Sequence, residues 1–288
     1  MRALRGNHII ASHRGGVSAR WRRAGGAAAA LALPLAASGI AAAPASAAGG
    51  YAAGGYAAGG YAAGGYAAGG YGVTHTIGVG DDPSGVAVDP ATRIAYVANG
   101  YGRLGGTVSV MDEAANTVTD TIPIGFGLSG VAVDPRARTV YVANSGAGTV
   151  SVIDEVTNTV THIIPVGSGP SGVAVDPAAR TVYVTNSNSG TVSVINEATN
   201  TVIHTITVGY GPSGVAADPA ARTVYVANGG ATTVSVINEA TNTVTATVPL
   251  GYPPSQVAVD PATRTAYVTS PVGGAVWVIQ MCGCHRRR

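Results

Sequence analysis

The chain has 288 residues, 46% of them apolar and 10% charged, and all sixteen of its basic residues are arginine. The formal net charge of +2 hides a split: six arginines fall in the first 23 residues and three at the extreme C-terminus, whereas residues 73–279 hold seven arginines against fourteen acidic residues, a balance of −7. A domain of that sign has no basic face with which to neutralise phosphates, and this excludes a nucleic-acid partner.

At the N-terminus, Arg20, Arg22 and Arg23 precede the apolar run Ala27–Ala43, and Ala45-Ser46-Ala47 supplies a small-x-small cleavage pattern. Residues 1–47 therefore read as an export signal peptide. The run is rich in weakly apolar alanine, carries Pro34, Ser38 and Gly39, and falls short of the ~20 strongly apolar residues that a membrane span prefers. No membrane span is expected after cleavage. Arg22-Arg23 resembles a twin-arginine signal, but Ala24-Gly25 follows where bulky apolar residues belong.

Residues 48–72 form a low-complexity spacer, with four copies of Tyr-Ala-Ala-Gly-Gly followed by Tyr71-Gly72. Two glycines in five and no charge cannot build a core or a stable helix. As a Gly-rich coil the tract spans on the order of 25 Å. The other use open to it is adhesive, with its five tyrosines meeting wall polymer or one another.

From residue 73 a repeat takes over. An Asp-Pro pair anchors each copy at Asp89, Asp134, Asp176, Asp218 and Asp260, with spacings of 45, 42, 42 and 42. That period, with four short alternating runs per copy, marks a β-propeller blade. In the third copy the runs are Gly172–Asp176, Thr181–Thr185, Thr191–Ile195 and Thr201–Val208, rich in Val, Ile, Thr and Tyr. Asp176-Pro177, Ser187–Gly190 and Asn196–Asn200 supply the turns between them. The run Val73–Val79 matches a fourth strand, and the last copy has only three: Gln256–Asp260, Thr265–Thr269 and Ala275–Ile279. The expectation is an all-β, five-bladed β-propeller of four-stranded antiparallel blades over residues 73–279. The N-terminal strand would complete the C-terminal blade, and such closure removes open sheet edges. Two chains sharing a larger wheel is the alternative; the closed ring predicts a monomer.

Tyr183-Val184-Thr185-Asn186 reads YVTN, and YVAN begins at Tyr96, Tyr141 and Tyr225. With the Thr-Val-Ser-Val runs that follow, the region Val73–Ile279, about seven-tenths of the chain, resembles the YVTN-type β-propeller repeat family. The resemblance implies a bacterial exported or cell-surface protein, surface-layer propellers among its relatives. Related wheels carry lactonases and quinoprotein dehydrogenases. This chain departs from the usual larger wheel in having five copies, and its last copy ends the motif in Ser270.

Most chemistry-like patterns reduce to the repeat. Three G-x-G-x-x-G matches, beginning at Gly125, Gly167 and Gly209, precede strands, whereas a dinucleotide loop must open a helix. Asp-Pro-x-x-Arg recurs five times; each Asp can hold turn amides, and the Arg is expected within reach of it, which favours a hairpin device over a cation-binding ring. His75, His162 and His204 occupy equivalent outer-strand places, too far apart to share a metal. Cys282 and Cys284, in the Cys/Arg-rich tail 280–288, are one residue apart, so a disulfide between them would be strained. With His285 they offer soft ligands, but no second ligand set lies nearby. No catalytic residue, metal site or cofactor is expected, and there is no H-E-x-x-H or G-x-S-x-G.

What varies between copies lies on one rim. The turns after the first and third strands repeat almost unchanged, whereas the blade-to-blade links hold Asp81, Phe126, Ser168, Tyr210 and Tyr252, and the first blade inserts residues that add Tyr101, Arg103 and Leu104. Exposed aromatics around a shallow depression suit sugars or peptides; alternatively they plug the mouth between blades. The expected function is a secreted or cell-surface, non-enzymatic binding scaffold. Tyr101, Arg103, Phe126, Tyr210 and Tyr252 would contact a cell-surface polysaccharide or protein. A structural coat component and a lactonase-like hydrolase are the competing classes.

Overall fold

The computed structural model describes residues 73–100 and 105–280, all of which fall in the compact unit Ala41–Arg288. Among the described residues there are nineteen strands and no helix. The first blade contains β1 (Pro83–Asp89), β2 (Ile94–Asn99), β3 (Gly106–Asp112) and β4 (Thr117–Gly125). The second contains β5 (Leu128–Asp134), β6 (Thr139–Asn144), β7 (Thr149–Asp154) and β8 (Thr159–Pro165). The third contains β9 (Pro170–Asp176), β10 (Thr181–Asn186), β11 (Thr191–Asn196) and β12 (Thr201–Thr207). The fourth contains β13 (Pro212–Asp218), β14 (Thr223–Asn228), β15 (Thr233–Asn238) and β16 (Thr243–Pro249). The fifth has three strands, β17 (Val257–Asp260), β18 (Thr265–Ser270) and β19 (Ala275–Gln280). Every sheet is an antiparallel meander in chain order.

Each sheet is apolar on both faces, and this is what forces blades to stack. In the third blade Tyr183 lies opposite Ala174 and Val194 on one face, while Val182 lies opposite Val175 and Ile195 on the other. Tyr183 packs with Val215, Ala217, Val224 and Val226 of the fourth blade. The same contact joins Tyr96 to the valines of the second blade, Tyr141 to those of the third, and Tyr225 to Val257, Val259 and Val268 of the fifth. Each blade thus offers a tyrosine face forward and a valine face back. The last residue of the YVTN-type run ties two strands together. Asn186 Nδ2 donates to Ser193 Oγ at 3.0 Å and to Thr191 Oγ1 at 3.1 Å, both on the adjacent strand. Asn99, Asn144 and Asn228 do the same.

The inner strands approach most closely. β1, β5, β9, β13 and β17 contact one another in that order. At each step a glycine meets the next blade's backbone: a Cβ on Gly85 would lie 2.5 Å from the carbonyl oxygen of Ser129, and one on Gly214 2.6 Å from that of Ser255. Gly130 and Gly172 face the carbonyls of Ser171 and Ser213 in the same way. No side chain fits there, so the glycines are required by packing rather than by any ligand.

The five-bladed, all-β reading and its strand boundaries agree with the structure. The expected closure does not appear. Val73–Val79 carries no strand, the fifth sheet stops at three strands, and Val73 is exposed. The two end faces are correspondingly open: Val86 and Val88 on the first blade and Tyr267, Val276 and Val278 on the fifth are all exposed, whereas their interior counterparts are buried. A physical reason stands at residue 256. Gln256 occupies the place of the close-approach glycines, and its Cβ forbids a following blade the inner-strand contact made at the four internal junctions.

Candidate binding rim

Turn chemistry separates the two rims. On the first rim the turn after each inner strand is held by its aspartate. Asp176 Oδ1 accepts from the amides of Ala178 and Ala179 at 2.8 and 3.1 Å, Asp218 repeats both bonds, and Asp89, Asp134 and Asp260 each repeat the first. The turn after the third strand lies beside it, because the amides of Glu113, Glu155, Glu197 and Glu239 donate to the carbonyls of Arg93, Arg138, Arg180 and Arg222. Spacing suggests that each arginine sits with its own aspartate. Each arginine closes its turn in the left-handed region, with φ between 53° and 61°, and each aspartate serves the turn amides, as its place before proline leads one to expect.

A feature of this rim that one copy of the repeat does not reveal is a junction between neighbouring blades. Glu155 meets Asp89 and Tyr96 of the preceding blade, Glu197 meets Asp134, and Glu239 meets Asp176 and Tyr183. Burial and the facing aspartate push Glu155 up to about 7 and Glu197 and Glu239 up to about 8. At neutral pH Glu197 and Glu239 favour the protonated form and Glu155 sits near its midpoint, and a proton held between the two carboxyls replaces a like-charge repulsion. The three pairs lie at the first three of the four junctions, buried between sheets and separate from one another. Sequence spacing shows the Asp and the Glu as separate turn residues; only stacking brings them together.

The second rim joins the turn between the two middle strands to the link that precedes the blade. Ser145 N donates to Gly127 O at 2.7 Å, Ser187 N to Gly169 O at 2.8 Å, and Gly229 N to Gly211 O at 2.9 Å. On these links Phe126, Tyr210 and Tyr252 are 65%, 71% and 52% exposed. They are therefore not plugs in the sense of buried core residues. Tyr252 lies across Gly273, where a Cβ would come 2.7 Å from its ring, and Tyr210 lies across Gly230 in the corresponding way. One ring face rests on backbone and the rest is open to solvent. Tyr101 and Arg103 lie outside the described residues.

The remaining candidates do not assemble. His75, His162 and His204 are exposed, and His162 Nδ1 lies 3.2 Å from Thr161 Oγ1 and 3.3 Å from Asn200 Nδ2. Among the described residues no three His, Cys, Asp or Glu side chains are grouped as a metal would need. Cys282 and Cys284 lie outside those residues. A depression lined by Pro165, Val166, Gly167, Ser189, Thr191 and Thr205 presents hydroxyls and apolar surface.

Residues 167–273 match the family described as YNCE-like beta-propeller. Among solved structures, a functionally unknown protein from Desulfotomaculum acetoxidans DSM 771 is similar over 70% of this chain and 70% of its own, with 15% identity and a TM-score of 0.59. The hydrazine synthase of Kuenenia stuttgartiensis is similar over 69% of this chain and 84% of its own, with 19% identity and a TM-score of 0.48. Identities this low speak to the fold alone. No curated protein matches the sequence. The repeated YVTN and YVAN runs, the stack of antiparallel sheets and the match over 167–273 agree: the chain carries a β-propeller, and over residues 167–273 it is similar to the YNCE-like beta-propeller family.

Proposed function

We propose that this propeller is an exported, non-catalytic scaffold that binds a polysaccharide or protein of the cell surface through the rim bearing Phe126, Tyr210 and Tyr252. One observation carries the reading: three large aromatics occupy the same repeat position, each more than half exposed, on the rim whose sequence varies. Aromatic rings provide wide contact for little lost rotamer freedom, and this is why they recur as binding anchors. The export signal expected in residues 1–47 supports a location outside the cytoplasm. A lactonase-like hydrolase gains no support, because the carboxyls with raised pKa values are buried apart at three separate blade junctions.

The test is binding of the purified chain to cell-wall polysaccharide and to surface-protein peptides, followed by the double substitution Tyr210→Ala, Tyr252→Ala. Loss of about 1–2 kcal/mol of affinity with an unchanged thermal melt is expected of anchor residues. Binding equal to the parent's would remove this rim from consideration.

A further inference from the structure

Both halves of one blade junction stand unused at the two ends of the stack. The forward face of the fifth blade carries Ala258, Tyr267, Val276 and Val278, with Tyr267 43%, Val276 57% and Val278 58% exposed. Their counterparts in the second blade, Ala132, Tyr141, Val150 and Val152, are at most 3% exposed. The rearward face of the first blade carries Val86 and Val88, 41% and 46% exposed, where Val131 and Val133 of the second blade are 1% and 6%. Rim chemistry is split in the same way. Glu113 of the first blade is exposed and Asp260 of the fifth is only partly buried, whereas the equivalent Glu155 meets a fully buried Asp89 across an internal junction.

We propose that two copies of this chain join head to tail, the Tyr267 face of one copy's fifth blade seated on the Val86 and Val88 face of the other's first blade. The occupant is fixed by complementarity. The exposed tyrosine face is the kind that internal junctions cover with a valine face, and the exposed valine face is the kind they cover with a tyrosine face. Glu113 then supplies to Asp260 and Tyr267 what Glu155 supplies to Asp89 and Tyr96. The chain's own two ends do not meet in this structure, and the 73–79 run expected to bind them carries no strand. The junction is looser than the internal ones, because Gln256 holds the inner strands apart and leaves the contact to the middle strands. A face of one kind meeting a face of another is a heterologous contact, which continues into a larger ring or a filament.

Sedimentation of the exported chain over a range of concentrations tests this with two variants, Val88→Arg and Tyr267→Arg. The parent should form concentration-dependent dimers and longer species. Each variant alone should lose association at least tenfold while keeping the parent's circular dichroism and melt. Mixed, the two should give a one-to-one dimer and nothing larger, since each retains the face the other has lost; this outcome also proves both variants folded. A parent that stays monomeric at every concentration would overturn the proposal. So would folded variants that do not pair when mixed. Failure here leaves the aromatic rim untouched, because neither variant alters it.

Discussion

Among the described residues, each complete hairpin turns on one residue in the left-handed region, and the residue type differs with the turn. The turns after the third strands use Asn116, Asn158, Asn200 and Asn242, with φ of 51–53°, and asparagine tolerates that conformation better than most residues. The turns between the middle strands use Gly148, Gly190 and Gly274. The fourth blade breaks this series with Thr232 at φ 53°, a β-branched residue whose Cβ crowds the backbone there. Replacing Thr232→Gly removes about 1–2 kcal/mol of local strain and costs roughly half of that in chain entropy. A net gain of about 0.5–1 kcal/mol is expected, seen as a rise of a few degrees in the melting temperature. The reverse change, Gly190→Thr, should lower it. A drop on Thr232→Gly would show that the threonine side chain contributes more than its backbone costs.

At the scale of elements, the blades were legible because two periods agree: alternation within strands and a 42-residue repeat between them. The junction was not legible. Asp89 and Glu155 belong to successive copies, and nothing within one copy says that a turn of one blade will lie on a turn of the next. The junction gives stability a pH dependence whose sign follows from the raised glutamates. A group whose pKa is higher folded than unfolded contributes fully below its unfolded value and loses that contribution as pH rises through the folded one. For Glu155, Glu197 and Glu239 the window runs from the ordinary value of 4.5 up to about 7 to 8. Asp112 and Asp154 act oppositely: turn amides hold their carboxyls below the usual value, so they stabilise above it and fail in acid. Calorimetry should therefore find the highest melting temperature in mildly acidic buffer and a steady fall toward about pH 9. The triple substitution Glu155→Gln, Glu197→Gln, Glu239→Gln should flatten that fall. An equal slope in the triple variant would mean the junction carboxyls do not hold the protons assigned to them.

For the whole molecule, strand counting gave the right number of blades and the wrong account of the ends. The VTHTIGV run at Val73–Val79 has the composition of an outer strand, but composition cannot bring the two ends of a stack together. Geometry at the inner strands decides that, and a single change from the repeat, Gln256, was the signal available for it. The variable rim was legible as a contrast between copies, although spacing alone left open whether its aromatics were buried. Removing residues 48–80 should then melt as removing 48–72 does, because the added segment supports no sheet. A large fall specific to the longer deletion would show that the 73–79 run does complete the fifth blade in solution.

The four internal junctions pair the same two kinds of face, and this bears on how such a molecule changes over generations. In most folds an inserted segment must find a new place in a finished core. Here a duplicated copy of residues 170–211 would bring its own valine face for the blade before it and its own tyrosine face for the blade after it. Misaligned exchange between near-identical repeats in the gene therefore adds or deletes a whole blade without demanding any compensating substitution. Blade number is an inheritable variable of this architecture, and the aromatic rim lengthens or shortens with it.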